Sequence, residues 1–191
     1  MNSCSDALRW KGRSIGQGLL EQYIHSTCRH LKEFGIKEGN AVALVAALSP
    51  AYVIVLLSLW RLKISPYLVD PSISWQAFHE LKLNAACLTL VDEKQDLAGW
   101  QVLLNDMVAL ELVEGFLGEK NDQPFRFDQG SRAAVLVDKN GASRPVDFGE
   151  LLTESNSGQI MEPEVLLKPL HDSEGLTLFC RASAAGRTVS I

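Results

Sequence analysis

The sequence predicts an α/β fold in which a mostly parallel sheet is flanked by helices, and three observations predict it. Short apolar runs of strand length, at 41–48, 66–69 and 87–91, alternate with segments of helical spacing. The stretches between those runs are long enough for crossover helices, and only a crossover returns the chain to the same end of a sheet, which makes neighbouring strands parallel. With 191 residues, 47% of them hydrophobic, the chain can also bury a core of domain size.

The first element is a hairpin, in which 7–10 and 13–15 flank the turn dipeptide Lys11-Gly12. Leu20, Tyr23, Ile24, Thr27, Cys28, Leu31 and Phe34 then recur every three or four residues, with Glu21, Arg29, Lys32 and Glu33 off that stripe. This is one apolar helix face, and Gly35 follows as its stop. After the Gly39-Asn40 turn come a strand at 41–48 and a helix at 50–62. Pro50 stands at the first helical position, where its missing N–H costs nothing. Residues 66–69 read as a short buried strand ended by Asp70-Pro71. Residues 75–83 read as a short helix carrying Phe78 and Leu81, and 87–91 as another strand.

Further along, 97–104 reads as a helix, 107–113 alternates like a strand, and the polar 118–130, with Pro124, reads as a loop. A second hairpin spans 133–148, with a tight primed turn at Asn140-Gly141 and a helical turn at 149–153 behind it. The Ser-, Asn- and Gly-rich 154–163 reads as a linker, and the last element as a strand at 175–180. Together these predict one Rossmann-like α/β domain over 1–191, with a sub-boundary within 93–132 and β-hairpins at the N-terminus and near 133–148. The two hairpins echo each other in turn chemistry and in a following Leu-Leu, but two ordinary hairpins give that much without a repeat.

Charge and composition exclude some functions. Eighteen Lys and Arg against 23 Asp and Glu leave a formal charge of −5 without a basic block, which argues against nucleic acid as a partner. Residues 41–60 are uncharged and long enough for a bilayer. Ser49-Pro50 interrupts them, however, and splits a strand from a helix, so no membrane span is expected. The N-terminus lacks a basic and apolar leader. Cys4, Cys28, Cys87 and Cys180 form no CxxC pair. Their even count allows two disulfides, but Cys28 and Cys87 sit in apolar segments, where a free thiol behaves as a small hydrophobe. Reduced thiols fit a cytoplasmic setting.

The local chemistry is sparse. His25 and Cys28 are one helical turn apart, but His30 points elsewhere, and zinc needs three or four ligands. No nucleophile elbow, Walker loop or dinucleotide fingerprint is present, so neither catalytic residues nor a metal site are expected. Trp10, Trp60, Trp75 and Trp100 read as core fillers. The candidate binding segment follows the predicted last strand, where the small residues Ser183, Ala184, Ala185 and Gly186, with the cation Arg187, could form an amide concavity for phosphate. The plainer reading of the same residues is a surface turn.

The order of segments resembles the N-terminal region of the adenylate-forming enzymes, the AMP-binding superfamily of acyl-CoA and aryl-CoA synthetases, peptide-synthetase adenylation domains and luciferases. Those proteins read G-D-x-V-A-L, N-S-x-E-Y/F, an apolar helix and G-A-x-x-x-P-L-D-P. This chain has Gly39-Asn40-Ala41-Val42-Ala43-Leu44, Ser49-Pro50-Ala51-Tyr52-Val53, the helix at 56–62 and Pro66-Tyr67-Leu68-Val69-Asp70-Pro71. The resemblance covers about 6–92 and, loosely, 175–191.

In that family a strand leads into [ST]-[SG]-G-[ST]-[ST]-G-x-P-K-G, which holds the ATP phosphates. Placed on 181–191, Gly186 and Arg187 fit; Ser183 stands where a glycine is usual, Ala184 and Ala185 replace hydroxyls, Thr188 the proline and Val189 the lysine. A charge-assisted phosphate contact is worth about 1.5–3 kcal/mol, so this degenerate loop implies weak ATP binding. For a complete enzyme the resemblance implies an ATP-dependent acid–thiol ligase of the acyl-CoA or o-succinylbenzoate-CoA synthetase type. A carboxylate attacks the α-phosphate of Mg·ATP to give an acyl-adenylate, and a thiol, usually CoA, then displaces AMP. The family's acid pocket and lid lysine lie beyond the phosphate loop, so the chain is expected to be inactive alone and to need a missing C-terminal portion. The alternative is a non-catalytic adenylation-like module that binds a protein partner or a second copy of itself.

Overall fold

The computed structural model describes residues 6–81, 83, 88–91, 100–103, 126–153 and 164–191. Among these it contains ten strands and five helices. In chain order they are β1 (Asp6–Trp10), β2 (Arg13–Gly16), α1 (Gln17–Glu33), β3 (Val42–Val45), α2 (Pro50–Arg61), β4 (Tyr67–Val69), α3 (Trp75–Glu80), β5 (Leu88–Val91) and β6 (Trp100–Leu103). β7 (Arg132–Val137), β8 (Ser143–Asp147), α4 (Phe148–Thr153), β9 (Glu164–Leu166), α5 (Ser173–Ala184) and β10 (Thr188–Ser190) follow.

The predicted α/β architecture is present, in two sheets. The larger has the order β6-β5-β3-β4-β7-β8 and is parallel except for the terminal β7–β8 hairpin. The smaller has the order β2-β1-β10-β9, with β1, β10 and β9 parallel and β2 antiparallel to β1. Leu8 pairs with Val189, so the smaller sheet joins the two ends of the described chain, and Thr188 adds a hydrogen bond to the Asp6 carbonyl at 2.7 Å.

The strand β3 lies at the centre because every residue in it is buried. Val42 and Leu44 face a core shared with α1, α2 and α5, whereas Ala43 and Val45 face a second core with Ile73 and Phe78. A strand covered on both faces must be apolar throughout, which is why 42–45 does not alternate. The helix α2 is capped by Ser49, whose hydroxyl accepts from the Tyr52 N–H at 3.2 Å, and Pro50 opens it. All nine residues from Tyr52 to Trp60 are buried.

Ser58 makes that burial possible by donating its hydroxyl to the Ile54 carbonyl at 2.7 Å. The same oxygen lies 3.3 Å from the Ile24 carbonyl, and the Cys28 thiol donates to the Ser58 carbonyl at 3.5 Å, locking α1 against α2. The indole of Trp60 donates to the Ala133 carbonyl at 2.7 Å and meets Phe127 and Phe148 edge-on. Among the described residues no helix is long and apolar enough to cross a membrane.

Several expectations are corrected. Residues 100–103 are a strand paired in parallel with β5, not part of a helix. A short apolar run fits either state, and the open hydrogen-bonding edge of β5 decides it. Residues 175–180 belong to helix α5. Its signals are Asp172 at the N-cap and buried Leu176, Phe179, Cys180 and Ala182 at helical spacing. The helix at 75–83 stops at Glu80. Phe34 and Trp75 are exposed rather than core residues. The second hairpin is present, but its turn is not the tight two-residue type: Gly141 alone has positive φ (82°), and the loop runs from Asp138 to Ala142. The strands β9 and β10 were not anticipated. Cys28 and Cys180 are buried free thiols, and burial raises both pKa values. The readings at Cys4, Cys87, 107–113 and 154–163 lie outside the described residues.

Two substitutions test this packing. A Cβ on Gly175 would collide with the Pro169 carbonyl oxygen, so Gly175→Ala is expected to cost about 1–3 kcal/mol in urea unfolding. Among the described residues the buried Tyr52 hydroxyl has no hydrogen-bond partner, so Tyr52→Phe is expected to leave stability unchanged or raise it by about 1 kcal/mol.

Candidate functional site

In the larger sheet, β3 leads to α2 on one face and β4 leads to α3 on the other. Connections that leave adjacent parallel strands toward opposite faces open a crevice at the strands' carboxyl ends, the usual ligand position in open α/β sheets. Three segments meet that edge: 46–49 after β3, Asp70 with Ser72 after β4, and the loop 138–142 after β7.

Asp70 organises the middle of the edge. Its backbone N–H donates to the Val137 carbonyl at 2.9 Å, extending the pairing of β4 with β7. One carboxylate oxygen accepts from the Ser72 N–H at 2.8 Å and the Ser72 hydroxyl at 2.6 Å. The other lies 3.6 Å from Nε2 of His171, which precedes α5. Burial pushes the Asp70 carboxyl up, but Ser72, His171 and Lys139 together hold it below the usual carboxylate range.

The β7–β8 loop is closed by its own first residue. Oδ1 of Asp138 accepts from the Asn140 N–H at 2.8 Å and the Ala142 N–H at 2.9 Å, while the Gly141 N–H donates to the Asp138 carbonyl at 3.0 Å. Gly141 is needed twice: its φ is +82°, and a Cβ there would lie 3.1 Å from the Ala77 carbonyl oxygen on α3.

The residues expected to cradle phosphate lie elsewhere and in a different conformation. Ser183 and Ala184 form the last turn of α5, Ala185 is its C-cap, and Gly186, at φ +63°, ends it. The N–H groups of Ala185, Gly186 and Arg187 donate to the carbonyls of Arg181, Ser183 and Ala182. These amides therefore close a helix instead of facing a ligand, and a helix C-terminus carries partial negative charge. Ser183, Gly186 and Arg187 line a cavity of about 40 Å³ among Leu8, Leu20, Ile24 and Phe179, room for about one water.

A strand followed by a polar loop and an x-Pro strand does exist in the chain, at β7, the loop 138–142 and Arg144-Pro145 in β8. Among the described residues no three His, Cys, Asp or Glu side chains gather as a metal site.

No protein-family model matches the sequence, and no curated protein matches it. Solved structures do match its fold. Unliganded o-succinylbenzoate coenzyme A synthetase (MenE) from Bacillus subtilis superposes with a TM-score of 0.76 at 13% identity, over 97% of this chain and 40% of that one. The N-terminal subdomain of NpsA from Klebsiella oxytoca gives 0.72 at 15% identity, over 98% and 49%. An artificially fused adenylation–PCP di-domain NRPS from the same organism, NpsA-ThdA, gives 0.75 at 16% identity, over 98% and 36%. The chain thus spans less than half the length of each of these structures.

Asp70→Asn removes the Asp70 charge while keeping an oxygen for Ser72. A carboxyl whose folded pKa is depressed stabilises the fold only while ionised. Wild type is therefore expected to be the more stable in urea at pH 7, with the difference vanishing as pH falls below the ordinary value of 3.8. A pH-independent difference would refute that role. These comparisons show that the chain shares its fold with MenE over 97% of its length and with the N-terminal subdomain of NpsA over 98%.

Proposed function

We propose that the chain is the N-terminal part of an ATP-dependent acid–thiol ligase of the acyl-CoA or o-succinylbenzoate-CoA synthetase type, folded as one α/β unit and inactive in adenylation on its own. The supporting observation is the six-stranded sheet with the β7–β8 hairpin beside its crevice, matched over nearly the whole chain by MenE. In a complete enzyme the partners are the remaining C-terminal portion, a carboxylic acid, ATP with Mg²⁺ and CoA. MenE has been solved in complex with ATP and magnesium, and with AMP.

The residues of this chain do not fit ATP phosphates. With Pro145 at the pattern's proline, Val146 takes the place of its lysine, and Val146 is 1% exposed in the core. The loop amides of Asn140 and Ala142 already hold a carboxylate. No adenylation step is assigned to these side chains.

That misfit favours a second reading, a non-catalytic adenylation-like module that binds a protein partner. Carboxylate-dependent exchange of pyrophosphate into ATP separates the two readings. The chain alone is expected to give background exchange. Mixed with the product of the reading frame downstream of Ile191, it is expected to associate in size-exclusion chromatography and to restore exchange if the ligase reading holds. Association without exchange would refute that reading in favour of the second.

A further inference from the structure

The loop 138–142 has the backbone of an anion nest. Left-handed Gly141, at φ +82°, follows Asn140, and a left-handed residue there lets the N–H groups on either side of its own turn toward one point. Two of those groups, on Asn140 and Ala142, converge on a single oxygen, Oδ1 of Asp138. The surrounding charges do not oppose that occupancy. Arg144 is paired with Glu150, and Lys139 acts on Asp70. Val146, between Pro145 and Asp147, is buried against the core and offers no cation.

We propose that Asp138 is an intramolecular tenant of this nest. Its carboxylate sits where an external phosphate oxygen would be held, so the wild-type hairpin excludes nucleotide and pyrophosphate. An incoming phosphate would have to displace a tethered anion and then sit beside it, and like charges at hydrogen-bond range repel strongly. The proposal rests on reading β7–β8 as the loop that faces the crevice. It does not require that the chain belong to a ligase.

The test is a titration of the ¹⁵N-labelled full chain with inorganic pyrophosphate, followed at the backbone amides of Lys139, Asn140, Gly141 and Ala142. Wild type is expected to show no saturable shift up to about 10 mM. Asp138→Ala is expected to show saturable shifts confined to these amides, with affinity raised about tenfold or more, the size expected from one like charge removed at this range. Dispersed amide signals from β7 and β8 in the variant show that the hairpin is intact.

Asp138→Asn, which keeps the shape and an oxygen acceptor, gives an independent readout. The amide protons of Asn140 and Ala142 are expected to move upfield, because bonds to a neutral oxygen are weaker than charge-assisted ones. Saturable binding by wild type, an unresponsive loop in folded Asp138→Ala, or unmoved amides in Asp138→Asn would each overturn the proposal. Wild-type binding would at the same time strengthen the ligase reading, so the two failures are distinguishable.

Discussion

The whole arrangement depends on burying β3 on both faces. Four residues, Val42 to Val45, carry hydrogen bonds to β4 on one side and β5 on the other while touching two separate cores. This position dictates the chemistry of the neighbouring elements. The helix that covers one face must itself be apolar nearly all round, because α1 packs on its other side, and α2 accordingly buries nine consecutive residues. The only hydroxyls on that buried stretch, Ser58 and Tyr52, show both outcomes of such burial. Ser58 bonds back to its own helix, whereas the Tyr52 hydroxyl finds no partner among the described residues.

The first part of the fold was legible because its signals are local. Lys11-Gly12, the stripe from Leu20 to Leu31, Ser49-Pro50 and the run at 66–69 each specify their element from within a few residues. The C-terminal part was not, for reasons that can be named. Gly175 looked like the start of a strand, but it is a helix residue forced small by the backbone at Lys168 and Pro169. Residues 100–103 form a strand because β5 offers an edge to them, which is a tertiary fact. The strands β9 and β10 have three residues each and pair with segments far away in sequence, so no periodicity announces them.

At the candidate site the same ambiguity arises twice. A run of small residues ending in Gly-Arg suits both a phosphate cradle and a helix stop, and the difference lies in where the N–H groups go. In 183–187 they return to the carbonyls of α5. In the β7–β8 loop the amides do converge, but on Asp138, and a single Asp-x-Asn-Gly stretch looks in sequence like any turn. In sequence Asp70 is half of the Asp70-Pro71 stop after a short strand. Its partner His171 is about a hundred positions away and reaches it through the smaller sheet's connection to α5.

The pairing of Leu8 with Val189 carries a temporal consequence. Synthesis makes β1 well before β10, so the smaller sheet cannot close until it has passed Ser190. The β3–α2–β4–β5 unit has no such wait, because its contacts span short separations whose loop-closure entropy is modest. Until β10 arrives, the β1–β2 hairpin has one bare edge and depends on α1 for cover.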